Sequence, residues 1–300
     1  MIAVTILGNN SAMPTIDRHP TSQIVTINDS IFLMDCGEGT QFQMLKYKIR
    51  RSKISHIFIS HLHGDHYLGL IGLISSFGIL NHLQDLHVYG PSPLKEIIEL
   101  QLKISNTQLP YQLFFHTITK EGLLLENDKF EVRCFKTNHR IACFGFVFIE
   151  KIKNRKLNIE KIKQFDIPIC FYKKLEEGLD YITKDNLKIN NTELTDAAPK
   201  GKIYAFCADT KYDESIIPHI RNADLIYHET TYLDNQKEKA ELRFHSTSKQ
   251  AALIAKKAEV KKLLIGHFSS KYIELDDFES EAKKIFINTE IATEGISYLI

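Results

Sequence analysis

Four potential metal ligands stand within six residues in the run FISHLHGDHYLGL: His61, His63, Asp65 and His66, packed around Gly64. So dense a cluster cannot be absorbed as ordinary core or surface side chains, and it reads as a metal site. An apolar strand over 54–60 leads into it and a Gly-interrupted apolar helix over 68–80 follows, which places the ligands at a framed strand-to-helix turn. Histidines one residue apart in an extended loop can converge on one ion, while the following Asp-His pair faces another. The spacing therefore predicts two metals.

The rest of the chain must complete two coordination spheres, because one loop cannot. Runs rich in Val, Ile and Phe predict strands over 2–7, 23–27, 31–35, 56–60, 86–89, 113–117, 129–137 and 141–149, then over 202–208, 225–228 and 262–266. Helices are expected over 40–47, 68–80, 93–105, 246–258 and 276–286. Several candidate ligands fall at the ends of those strands. His139 follows EVRCFKTN, Asp209 follows KIYAFCA and His267 follows KLLIG. Each alone could be a turn or capping residue; together they supply the missing ligands. Asp209 is the natural bridge, since a carboxylate can give one oxygen to each of two ions. Ligands spread over both halves predict two strand-rich layers of an α/β chain meeting along one edge, with the site between them.

His245, in RFHSTSKQ ahead of a helix, is a helix-start residue or else a protonated imidazole that stabilises developing charge or protonates a leaving group. Glu229, in YHETTY, could orient it or be merely structural. His19, His56, His82 and His228 receive no assignment.

These motifs lie in an order that resembles the ribonuclease Z family, tRNA 3′-processing endonucleases of the metallo-β-lactamase superfamily. The likeness runs from ILGNNSAMPTIDRHPTSQ through DCGEGTQFQ, SHLHGDHYLGLIGLI, TNHRIACFGF, CADT, HETTY and HSTSKQAA to GHFSSKY and EAKKIFINTEIA. H-x-H-x-D-H specifies only the superfamily; DCGEGTQFQ, HSTSKQAA and HFSSKY are more specific. The resemblance implies a four-layer αβ/βα sandwich spanning 1–300. It implies one zinc on His61, His63 and His139, a second on Asp65, His66 and His267, and Asp209 between them. Asp65 is further implied as the general base and His245 as the group assisting at the scissile phosphate, with products ending in a 3′-hydroxyl on tRNA and a 5′-phosphate on the trailer. The same His/Asp set accepts manganese or iron.

Net charge is only +1, yet Lys151, Lys153, Arg155, Lys156, Lys161, Lys163, Lys173 and Lys174 crowd a segment that holds only Glu160 and Asp166 in return. Charge alone permits a solvated face. In the family an arm projects from the corresponding place and grips tRNA, so 151–199 reads as an inserted basic arm binding precursor tRNA with little sequence preference. It lacks the family's usual Gly-Pro-rich tip, reading FDIPICFYKKLEEG. The loop PTIDRHP keeps Arg18, a further expected RNA contact, but has Ile16 and His19 where many relatives have Lys and Asn. A homodimer is implied by the resemblance; neither DNA nor a membrane is expected as a partner. No apolar run approaches the roughly 18 residues needed to span a bilayer, the N-terminus lacks a cleavable signal, and five scattered cysteines suit a reduced cytoplasmic chain. Two alternatives remain open on sequence: a hydrolase of small phosphodiesters with the same fold, and a catalytically silent RNA-binding relative.

Overall fold

The computed structural model describes residues 1–80 and 84–300, so His82 lies outside the described residues. The first half contributes strands β1 (Ile2–Gly8), β2 (Ser22–Ile27), β3 (Ser30–Met34), β4 (Ile54–Phe58), β5 (Leu86–Gly90), β6 (Leu113–Thr117), β7 (Gly122–Glu126), β8 (Phe130–Lys136) and β9 (Phe144–Glu150). The second half adds β10 (Ile203–Cys207), β11 (Leu225–Glu229), β12 (Leu263–Gly266), β13 (Thr289–Ile291) and β14 (Ser297–Leu299). They form two seven-stranded sheets, ordered β14-β1-β2-β3-β4-β5-β6 and β13-β12-β11-β10-β9-β8-β7.

Each sheet joins an antiparallel meander to a run of parallel strands. Pairing is antiparallel from β14 to β3 and parallel from β3 to β6. It is likewise antiparallel from β7 to β10 and parallel from β10 to β13. Parallel strands need crossover helices, and those helices cover the outer faces. Phe32, Phe58, Phe146, Phe148, Tyr204 and Phe206 interdigitate between the sheets. On one outside, Leu73, Ile74 and Phe77 of a helix over Leu70–Ile79 pack with Ile57 and Val88. On the other, Ala251, Ile254 and Ala255 of the helix Ser248–Lys257, with Phe278 of Asp276–Lys283, pack on Ile226 and Ile265. The result is the four-layer αβ/βα sandwich that the resemblance implied.

Three local differences from the sequence reading have physical causes. The expected helix over 68–80 is preceded by a helical turn at Gly64–Tyr67, so Asp65 and His66 project from a helix rather than from a free loop. The strand expected from 141 begins at Phe144, because Arg140–Cys143 form a connecting loop whose apolar residues face a cleft instead of a sheet. β7, β13 and β14 escape the sequence reading; they are three to five residues long and carry no clean alternation.

Between β9 and β10 the chain leaves the sheet and comes back through Gly201, where a Cβ would sit 1.8 Å from the carbonyl oxygen of Glu150, a contact only glycine allows. The segment between has two short strand pairs, Lys156–Leu157 with Thr195–Asp196 and Tyr181–Ile182 with Lys188–Ile189. It also carries helices Ile159–Gln164, Tyr172–Glu176 and Asn191–Leu194. Its own small apolar cluster is Ile162, Ile167, Leu175, Ile189 and Leu194.

Candidate active site

The parallel strands of both sheets end at one place. His61 and His63 follow β4, Asp209 follows β10, Glu229 ends β11 and His267 follows β12. The carboxyl ends of parallel strands are where α/β sheets open a crevice. His267 carries left-handed backbone at φ 60°, as does Asp35 at φ 51° just after β3. Each such residue costs on the order of 1 kcal/mol, which the surrounding fold must offset.

The ligand-capable atoms form three overlapping groups. His61, His63, His139 and Asp209 gather in one, Asp65, His66 and His267 in a second, and Asp209, His245 and His267 in the third, the atoms of each within 4.8 Å of one another. Asp209 belongs to the first two by geometry. Its Oδ2 lies 3.6 Å from His61 Nε2 and 3.9 Å from His139 Nε2, while Oδ1 lies 3.2 Å from His267 Nε2 and 3.4 Å from His66 Nε2. Oδ1 is buried and accepts no hydrogen bond among the described residues. A desolvated carboxylate oxygen without a donor is costly unless a cation meets it.

Partners behind the rings dictate which nitrogens face inward. Ser60 Oγ donates to Asp35 and therefore accepts from His61 Nδ1 at 3.0 Å. Asp35 Oδ2 accepts from His66 Nδ1 at 2.7 Å, and the Phe244 carbonyl accepts from His139 Nδ1 at 3.0 Å. Thr231 Oγ1 donates to Glu229 and accepts from His267 Nδ1 at 2.9 Å. All four histidines so offer an Nε2 lone pair to the centre, the arrangement that outer partners impose on metal-binding rings. His63 turns the other way, with Nδ1 3.0 Å from His61 Nε2 and 3.1 Å from His139 Nε2. Asp65 Oδ2, 3.4 Å from His267 Nε2, is held by the backbone N–H of Ala12 at 2.7 Å.

Electrostatics point the same way. Burial above all pushes His61 well below the ordinary histidine range, takes His63 down to about 4 and lowers His139, leaving neutral rings able to ligate. His66 goes up instead: burial opposes its charge, but Asp209, Asp65 and Asp35 outweigh it. Three carboxylates around one imidazole are an excess of negative charge that a divalent cation would balance. The donor set, nitrogen-rich with one carboxylate shared, fits two borderline divalent ions.

Beside this centre His245 Nδ1 sits 2.9 Å from Glu229 Oε1. Glu229 is buried and also accepts from the backbone N–H of Thr210, Thr231 and Ser246. Burial would lower the His245 pKa, yet the charge and hydrogen bond of Glu229 push it up to about 9. His245 thus has its acidic partner in Glu229, which engages its Nδ1 and favours the charged ring. The cleft, about 530 Å³, is lined by residues of the ligand groups together with Glu38, Leu68, Tyr232 and Ser269.

Other expected contacts lie elsewhere. Arg18 does not line the cleft; its guanidinium donates to the Tyr272 carbonyl, and its loop is pinned where His19 meets Glu294 at 2.9 Å. Lys151 and Lys153 pair with Glu126 and Asp128, and Arg155 donates to Thr195. Lys156, Lys161, Lys163, Lys173 and Lys174 stand on the segment between β9 and β10, clear of the cleft lining. Asp35 and Thr231 lie inside two quoted motifs, DCGEGTQFQ and HETTY, yet carry no role in the sequence analysis, because the rings they hold, His66 and His267, are 31 and 36 residues away.

Residues 2–187 match the family model described as Anti-Pycsar protein Apyc1. Ribonuclease Z of Parabacteroides distasonis is 41% identical over 98% of this chain and 97% of its own length. Ribonuclease Z of Cytophaga hutchinsonii is 43% identical over 98% and 95%. Among solved structures, human tRNase Z, short form (ELAC1), superposes with a TM-score of 0.74 at 26% identity, covering 99% of each chain.

Proposed function

The chain belongs to the ribonuclease Z family, and from that premise we propose how its residues carry out the work. It is an endoribonuclease, a hydrolase that matures the 3′ end of tRNA. The substrate is precursor tRNA, the bond broken is the phosphodiester joining tRNA to its 3′ trailer, and the products carry a 3′-hydroxyl and a 5′-phosphate respectively.

His61, His63, His139 and Asp209 would hold one zinc ion and Asp65, His66 and His267 would hold another; manganese or iron would suit the same donors. Bound there, two divalent cations acidify water and neutralise charge on the attacking and leaving oxygens. Asp65, fixed by the Ala12 N–H, orients the attacking water and takes its proton. His245, kept charged by Glu229, gives its proton to the 3′-oxygen as the bond to phosphorus breaks. The observation that carries this reading is the split of Asp209, one oxygen toward each histidine group.

The basic segment 151–199 grips the tRNA body through backbone phosphates. In a homodimer, for which exposed Phe42 and Leu45 offer apolar surface, it reaches substrate cut at the partner's site. No helix among the described residues is long and apolar enough to cross a membrane, and five free cysteines suit work in the cytoplasm. Labelled precursor tRNA incubated with zinc-loaded protein tests the mechanism. Wild type releases an intact trailer and Asp65→Ala does not; undiminished cleavage by the variant would sink it.

A further inference from the structure

We propose that Arg140 and Arg243 form a second phosphate seat beside the metal centre, one that takes an RNA phosphodiester neighbouring the linkage being cut. The inference rests on the tRNA-processing reading of the same site.

Both arginines are mounted on residues that build the centre. Arg140 follows His139 directly, while Arg243 stands two residues before His245 and next to Phe244, whose carbonyl accepts from His139. Two loops distant in sequence thereby bring two guanidinium groups to one wall. Both line the main cleft, and both line a side cleft of about 420 Å³ that opens off it past His63 and His245. No carboxylate is among the residues lining that side cleft.

The charges of the pair are uncompensated. Nearby Lys211 is matched by Glu241 at 2.9 Å, whereas neither Arg140 nor Arg243 makes an ion pair with any carboxylate among the described residues, although both are exposed. The side-chain contact of Arg140 is from Nη2 to His63 Nε2, 3.1 Å. That contact is to a ring nitrogen and brings no negative charge to the guanidinium. Two unpaired forks at the mouth of a phosphodiester site match what phosphate oxygens accept bidentately. Leu242, which is exposed, and Phe244 add an apolar wall of the kind a ribose or base packs against.

The test uses the full chain with Arg140→Ala, Arg243→Ala and both together. Elemental analysis of each variant checks that the metal content matches wild type. Chelator-stripped protein, which cannot cut, gives the dissociation constant for fluorescent precursor tRNA by anisotropy. Loaded protein gives KM and kcat. The probe of position is a precursor tRNA carrying one uncharged methylphosphonate, placed at each linkage flanking the cut in turn. Each single variant is expected to raise the dissociation constant and KM about tenfold, near 1.4 kcal/mol. Turnover of bis(p-nitrophenyl) phosphate, too short to reach the seat, should stay within about twofold. Methylphosphonate at one flanking linkage should weaken wild type about tenfold and leave the double variant unchanged. The proposal fails if wild type tolerates the neutral linkage everywhere, or if the double variant stays as sensitive as wild type. Should wild type cut no precursor tRNA at all, the tRNA reading falls with it; normal cleavage with normal variant binding removes the seat alone.

Discussion

At the residue scale, the site depends on which atom of each side chain is already spoken for. Asp35 fixes the His66 ring, so Asp35→Asn should weaken metal affinity about 10–100-fold, read by chelator competition, while leaving the fold intact. His245→Ala should cut kcat roughly 10²–10⁴-fold without changing metal content, the mark of a proton donor rather than a ligand. An unassigned histidine gives a separate test. His56 stacks on His87 at 4.9 Å, and His87 Nδ1 lies 2.9 Å from His116 Nε2. Burial, then those two neighbours, takes His56 down to about 4. Its folded pKa thus lies below the unfolded value of 6.5. The unfolded chain binds the extra proton between those values, so this contribution to stability is complete above pH 6.5 and is lost as pH falls toward 4. Melting temperature should drop less between pH 7.5 and 5 in His56→Gln than in wild type; an equal drop would clear His56 of the effect.

At the element scale, strand ends do the positioning, and most of those were legible. His139, Asp209 and His267 were found because an apolar run stops just before or near each one. The helical turn at Gly64–Tyr67 was not, since four residues show no period; it forms because Cys36 and Gly37 pack against it, and a Cβ on Gly37 would meet the Asp65 carbonyl at 2.4 Å. The inserted segment read as charge, yet it holds an apolar cluster of its own. Leu175→Ala should cost that unit about 2–5 kcal/mol, seen as faster hydrogen exchange within 151–199 and weaker tRNA binding with metal content unaltered. Its cations are not equivalent either. Lys151 and Lys153 are tied to Glu126 and Asp128 at the base. Replacing Lys161, Lys163 and Lys173 should therefore flatten the salt dependence of tRNA binding more than replacing the two basal lysines, by a slope of about 0.9 per lost phosphate contact.

At the scale of the whole molecule, two similarly wound sheets press their aromatic faces together and bring the carboxyl ends of both parallel runs to one edge. Ions bound between the halves would stabilise the folded chain by mass action, about 2.7 kcal/mol per site at a hundredfold excess over Kd. Chelation should lower the melting temperature by at least about 5 °C, reversed by zinc; an unmoved transition would mean that no metal links the sheets. The sequence alone determined the candidate ligand types, their places at strand ends and the family, because local patterning and short motifs act over a few residues. Which oxygen of Asp209 faces which histidines, the Glu229–His245 pair, the inward Nε2 atoms and the unpaired Arg140 and Arg243 were decided only by tertiary structure. Each is a contact between residues far apart in the chain, and spacing along a sequence carries no record of distances across a packed core.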